Sequence, residues 1–371
     1  MIRTFATATA LCAALTAPAL AQDLTEMSWE QIVEQAKAEG EVTWYNWFFE
    51  PELRGYAQTF EDTYGISVTL PDVSSADDAL SKLIAEQGRD TTDIDVISMP
   101  GKWAERVNMG DLLAGPIQPL LPEADAVTTE IDGQNWQGYA IAYWGNQTGM
   151  LYDSNRIAPE ELPQTLADFE AFIAERPGQL GFNLENGGSG PSFIGNVARN
   201  VLGLTPDSDV SETPDLTPVY DWFTERDGDY ILTASNADSL SRLTAGEFLL
   251  VPGWEDMVAG MIKRDEIGEN IRIYVPEMGM NGGGNIVAIP RNAEHPAAAL
   301  LFISWLTSAE AQTRQNVEFG TAPTNKNADD SHALIPNDQR ANSRSWITPL
   351  DNDAVVKDVI ENAFMYLSLI H

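Results

Sequence analysis

Gly138-Tyr-Ala-Ile-Ala-Tyr-Trp-Gly-Asn-Gln-Thr-Gly-Met-Leu-Tyr-Asp153 decides the reading of the fold. Its apolar and aromatic residues predict two short strands hinged on Tyr143–Gly149. Far downstream, Gly283-Gly-Asn-Ile-Val-Ala-Ile-Pro290 predicts a third strand able to carry the chain back. A chain that crosses twice between two lobes, with aromatic residues at one crossing, is suited to closing on a small molecule.

The flanks support that division. Ser28-Trp-Glu-Gln31 reads as a capping box opening a helix that ends at Gly40. A strand over Glu41–Trp47 and a helix from Pro51, with Leu53, Tyr56, Phe60 and Tyr64 at helical spacing, come next. Strands at Ile66–Leu70 and Asp93–Ser98 flank a helix at Ala76–Gln87, and a short helix follows at Trp103–Met109. Beyond the first crossing, helices at Thr165–Glu175, Phe193–Leu202, Thr217–Thr224, Ala237–Ala245 and Glu255–Lys263 alternate with strands at Leu180–Leu184, Phe248–Pro252 and Ile271–Val275. The return strand at Asn285–Ile289 leads into helices at Pro296–Leu306 and Ala309–Asn316. A loop-rich stretch over Gly320–Asn342 and a final helix at Asn352–Leu369 end the chain. Such alternation predicts an α/β protein of two lobes, each with a mostly parallel sheet, joined by a hinge. Residues 22–142 and 285–371 form the expected first lobe, and residues 143–284 the second.

Composition narrows the function. Arg3, the apolar run Phe5–Ala17 and the Ala19-Leu20-Ala21 triplet predict a secretory leader cleaved before Gln22, hence a periplasmic protein. The leader's apolar run falls short of the roughly 20 residues that span a bilayer. Cys12 is the single cysteine and lies in that leader, which removes disulfides and thiolate chemistry from the expected mature protein. The 371-residue chain has 21 Lys and Arg against 56 Asp and Glu, a net charge of −35. Nucleic acid and anionic membranes are therefore poor long-range partners. Acidic residues are spread along the chain, so the charge reads as general surface character rather than as a cation-steering site. The histidines, His295, His332 and His371, form no metal-ligand spacing, and no carboxylate pair stands out. Neither an enzyme, a metal site nor a cofactor is expected.

Ligand-facing candidates sit where strands run out. Tyr45, Asn46 and Trp47 end the first strand, Ser74 precedes a helix, and Lys102 follows the third strand. Tyr143 and Trp144 lie at the hinge. Gly187-Gly-Ser-Gly-Pro-Ser192 opens a helix, and its backbone amides with the Ser189 and Ser192 hydroxyls suit an anion. It lacks the Gly-Lys-Ser/Thr ending of a phosphate-binding loop, and Pro191 excludes a nucleophile elbow. Trp254 with Glu255 or Asp256 pairs an aromatic wall with a carboxylate, which suits an ammonium group, although acidic residues in a first helical turn are stabilising on their own.

Several segments resemble the solute-binding proteins of ABC importers, in the branch that takes polyamines, thiamine, iron and aminophosphonates. Trp44-Tyr-Asn-Trp47 is similar to the turn after the first strand in polyamine binders, and Asp93-Ile-Asp-Val-Ile-Ser98 to the strand before the second pocket loop. Tyr143–Asp153 followed by Leu162-Pro-Gln-Thr-Leu-Ala-Asp168 resembles the family hinge. Pro296-Ala-Ala-Ala-Leu-Leu-Phe-Ile-Ser-Trp-Leu306 with Ser308-Ala-Glu-Ala-Gln312 resembles the family's most recognisable stretch. The resemblance implies a type II-like two-lobe binding fold, hinge closure on a small molecule, and delivery to a membrane permease by a monomer. Polyamine binders place an aspartate just before the return strand, where this chain has Asn285, a departure that favours an anionic or zwitterionic solute over a dication. A polyamine or thiamine ligand, a sensory binding module and an exported hydrolase are the alternatives.

Overall fold

The computed structural model describes residues 24–185, 188–205, 208, 214–335, 340, 343–344 and 352–365. In chain order the strands are β1 (Glu41–Tyr45), β2 (Ser67–Thr69), β3 (Val96–Pro100), β4 (Glu130–Ile131), β5 (Gln134–Asn135), β6 (Ala140–Asp153), β7 (Leu180–Asn183), β8 (Tyr230–Thr233), β9 (Leu250–Trp254), β10 (Ile271–Tyr274), β11 (Met280–Ala288) and β12 (Ser343–Arg344). β4 and β5 form a small hairpin. The others make a sheet whose spine runs β2-β1-β3-β11-β6-β9-β7-β8, with β10 paired to β6 and β12 to β11.

Pairing is parallel in both wings, β2-β1-β3 and β9-β7-β8, as crossover helices require. It is antiparallel wherever β6 or β11 meets β3, β9 or each other. The two expected parallel sheets are thus wings of one curled sheet, joined through the strands that carry the chain out and back. β6 is one strand of 14 residues, not two. Its first half pairs with β11 and its second half with β9 and β10, with one register shift between Asn285 and Ile286, where Tyr143 is passed over. Gly145 and Gly149 allow this. A Cβ at Gly145 would lie 2.4 Å from the Ala322 carbonyl oxygen, and one at Gly149 2.6 Å from that of Tyr274. β11 begins at Met280 rather than at Asn285 because Gly282–Gly284 pair with Gly145–Gln147. A run of glycines weakens the strand pattern in sequence while permitting close backbone approach in space.

Each wing has its own core. In the first lobe the sheet carries Trp44, Tyr56, Phe60 and Phe302 on one face, with Ile97, Met99, Trp103 and Trp136 in a second cluster. Phe169, Phe182, Phe193 and Phe223 centre the second lobe's core. The helix Ser189–Val201 starts four residues earlier than its apolar spacing suggests. Pro191 fits in a first turn, where its missing N–H costs no bond. Gly190 is required there, since a Cβ would meet the Asn183 carbonyl oxygen at 1.7 Å. Gly187 lies outside the described residues.

The largest departure from the sequence reading concerns the C-terminal part, which that reading places in the first lobe. The helix Asn352–Val359 continues as a π-helix, Ile360–Met365, and packs on the second lobe. Val355, Val356, Val359, Ala363 and Phe364 join that core, with the Phe364 ring 4.9 Å from Phe223. Apolar spacing marks a buried face without saying which core receives it. The change of lobe occurs just before Ile335. The His332 amide still donates to Asn316 Oδ1 in the first lobe, whereas Ile335 is buried in the second. Among the described residues the chain therefore crosses between lobes three times.

Candidate functional site

A cavity of about 400 Å³ opens at the junction of the lobes. Thr128 and the hairpin residues Glu130, Ile131, Asp132 and Gly133 form one wall. Gly145, Asn146 and Gln147 of β6 with Gly282 and Gly283 of β11 form its floor, and Ala322, Pro323, Thr324 and Arg340 complete it. Both outgoing and returning strands and the third crossing segment thus meet at one hollow.

The floor is held by backbone and by short polar side chains. The Gly145 amide donates to Ala322 O at 3.1 Å, and Thr324 Oγ1 donates to Ala142 O at 2.7 Å. Gln147 Nε2 reaches Thr148 O, Met280 O and Asn281 O, tying β6 to β11 where the lobes join. Arg340 lies on the second-lobe side. Its Nη2 donates to Glu255 Oε1 and Oε2 at 2.9 and 2.6 Å and to Ile335 O at 2.8 Å. Its Nε is buried without a hydrogen-bond partner. Glu255 is fully buried and also accepts from the Ile335 amide. Burial pushes its carboxyl up to about 7, against the opposing pull of Arg340 and that amide.

None of the residues chosen from sequence lines this hollow, but several support it from behind. Glu255 holds Arg340. Trp254, partly exposed, lies beneath Gly283, where a Cβ would come within 2.8 Å of its ring. Trp144 is buried, its Nε1 donating to Asp256 Oδ2 at 3.2 Å. Burial raises the Asp256 carboxyl, while its bonds to Asn146 and Trp144 lower it. Phe48, Phe49 and Phe319 close around Trp144 with centroids 5.1–5.6 Å away. Asn285 pairs with Trp144 across the strands.

Others lie deeper in one lobe. Tyr143 is buried, its hydroxyl donating to Asn46 Oδ1 and meeting Ser98 Oγ, each at 3.0 Å, while Trp44 Nε1 donates to the same Ser98 oxygen. Tyr45 is also buried and donates to Asp93 Oδ2. Ser189 is fully buried, its hydroxyl 2.8 Å from both Pro252 O and Asn236 Oδ1. Ser192 Oγ meets Thr148 Oγ1 at 2.7 Å and accepts from the Asn281 amide. The expected serine turn therefore fastens the second lobe to the crossing strands. Trp47 is partly exposed and stacks edge-on against Phe48, and Ser74 and Lys102 are exposed on the first lobe.

Arg340 escaped the sequence reading because it follows Pro336 in an irregular stretch without periodicity. The scarcity of basic residues, 21 in 371, is the signal that could have drawn notice to it. Among the described residues there is no group of three or more His, Cys, Asp or Glu able to hold a metal, and no helix long and apolar enough to cross a membrane.

Two α/β lobes, joined by crossing strands with a small polar hollow between them, define a protein that encloses a solute. Sequence comparison agrees. The chain belongs to the bacterial extracellular solute-binding protein family, whose profile matches residues 55–342. It is 24% identical over 316 residues to Protein YnjB of Escherichia coli K12, covering 77% of this chain and 79% of that one. Its fold is similar to that of an extracellular solute-binding protein of Bordetella parapertussis, with a TM-score of 0.72, 17% identity and coverage of 88% and 99%. It is also similar to the spermidine/putrescine-binding protein PotD of Streptococcus pneumoniae, with a TM-score of 0.65, 15% identity and coverage of 88% and 99%.

Proposed function

We propose that this chain is the periplasmic substrate-binding component of an ABC importer, exported by its leader, cleaved before Gln22 and acting as a monomer that delivers solute to an inner-membrane permease. Its solute is small, polar and charged, anionic or zwitterionic rather than dicationic. It is captured by closure of residues 22–142 and 285–332 against residues 143–284 and the C-terminal segment from Ile335.

The observation that carries this reading is the composition of the hollow. Both crossing strands, a first-lobe hairpin and a residue bonded to the second lobe line one cavity of about 400 Å³, within the size range of small-molecule sites. Closure about β6 and β11 changes the shape of such a cavity directly. Trp47 and Trp254, partly exposed but outside the lining of the hollow in this structure, are the aromatic contacts we retain from the sequence for the closed form.

Refolded, solute-stripped protein is denatured thermally against amino acids, aminophosphonates, thiamine and its phosphates, polyamines, sugars and ferric ion. A solute at 100 times its Kd stabilises by about 2.7 kcal/mol, enough for a visible shift. Stabilisation by anionic or zwitterionic compounds supports the reading, and stabilisation by polyamines alone replaces its solute class. Alanine at Trp47 or Trp254 weakens binding more than threefold, about 0.7 kcal/mol. Smaller effects at both positions remove them from the site.

A further inference from the structure

A buried ion pair at the lobe junction is a costly way to hold a chain segment. Desolvating both charges offsets most of their attraction, and well-packed apolar replacements are often neutral or stabilising. Glu255 and Arg340 nevertheless form such a pair, with Glu255 fully buried and the Arg340 side chain 16% exposed. Arg340 also lines the cavity, in a chain with 56 acidic and 21 basic residues. Its bonds described above all run from Nη2, and its buried Nε–H has no partner. An unsatisfied buried donor is destabilising, so the guanidinium keeps donor capacity that folding alone does not use. Glu130 and Asp132 add carboxylates to the lining of the same cavity.

We propose that Arg340 is the anion anchor of this cavity, held in place by Glu255, and that the solute is a small zwitterion whose oxyanion meets the guanidinium while its ammonium group faces Glu130 and Asp132. This rests on the reading of the hollow as the solute site and narrows it to one charge arrangement. A planar guanidinium, fixed on one side by a carboxylate, presents its other donors to carboxylate or phosphonate oxygens at little entropic cost. Glu255 is a positioning residue and touches no solute.

The test uses a matched set of three-carbon probes on the mature protein: β-alanine with both charges, propionate with only the anion, and propylamine with only the cation. Each is added at 100 mM and constant ionic strength, and thermal unfolding is followed. β-Alanine is expected to raise the Tm of the wild type by roughly 2 °C or more, propionate by less, and propylamine not at all. The double variant Glu255→Met with Arg340→Met removes both charges at similar volume, and a cooperative unfolding transition without probe shows that it is folded. It is expected to lose the β-alanine and propionate shifts. Arg340→Lys, with charge but no fork, is expected to retain a reduced shift.

If β-alanine fails to stabilise the wild type, the zwitterion assignment is overturned. A β-alanine shift that survives the double methionine variant but disappears on filling the hollow with Pro323→Trp overturns the role of Arg340 and leaves the cavity as the site. A shift that survives both variants overturns the cavity itself.

Discussion

Replacing Gly320 with alanine should push the lobes apart. Gly320 caps the helix Ala309–Phe319 of the first lobe with φ 72°, and a Cβ there would lie 2.6 Å from the Ala259 Cβ. Ala259 is buried in the helix Glu255–Lys263 of the second lobe. Carbon atoms pack best about 3.5–4.0 Å apart, so the two helices must separate by roughly 1 Å. An alanine in left-handed backbone costs about 1–2 kcal/mol, and overpacking adds about 1–3 kcal/mol. The expected loss is therefore roughly 2–5 kcal/mol, measured by urea denaturation. Ala259→Gly relieves the contact but costs about 1 kcal/mol of helix propensity by itself. The double variant should consequently be more stable than the sum of the single effects predicts, by about 1–3 kcal/mol. Coupling below about 0.5 kcal/mol would mean that the two helices do not touch in solution, and the account of the lobe contact would fail.

Tyr143→Phe strands the Ser98 hydroxyl and the Asn46 carbonyl in a buried network, and is expected to cost about 2 kcal/mol in the same assay; an unchanged stability would place water there. Asp95, 1% exposed, accepts from the Thr43 and His295 amides and contacts His295 Nδ1, so Asp95→Ala should lose roughly 3 kcal/mol. Because the Glu255 carboxyl is raised from 4.5 to about 7, the folded state holds its proton more tightly than the unfolded chain. Its contribution is complete below pH 4.5, falls as pH rises, and is gone above pH 7. Relative to Glu255→Gln, the wild type should lose roughly 3 kcal/mol across that window, and parallel pH–stability curves would remove Glu255 as the cause.

The alternation of strands and helices was legible because it depends on local periodicity. The capping box at Ser28–Gln31, in which the side chains of both residues bond the other's backbone amide, is one instance. The crossing strands were legible in part. Ile141–Trp144 and Ile286–Ala288 announce themselves by apolar residues, whereas Gly282–Gly284 join the ladder through backbone alone. The hollow was much harder to read. Five of its fourteen lining residues are glycine or alanine, whose role is close approach rather than contact chemistry. Ser189 and Ser192 looked chemical from sequence because a serine near a helix start can serve a ligand or the fold, and only burial separates the two. Arg340 acquires its meaning from Glu255, 85 positions earlier.

The third crossing also makes the molecule a ready-made distance gauge. The helix Trp29–Glu39 buries Ile32 and Ala36 in the first lobe, whereas the helix at residues 352–359 rides on the second. Glu30 and Lys357 are exposed on these two helices, and Cys12 is the chain's single cysteine. In the leaderless protein, cysteines introduced at Glu30 and Lys357 would be the only thiols, so a donor–acceptor dye pair could be attached without first removing a native cysteine. Energy transfer between the dyes would then follow the lobes themselves, with no label in the cavity and before the solute has a name.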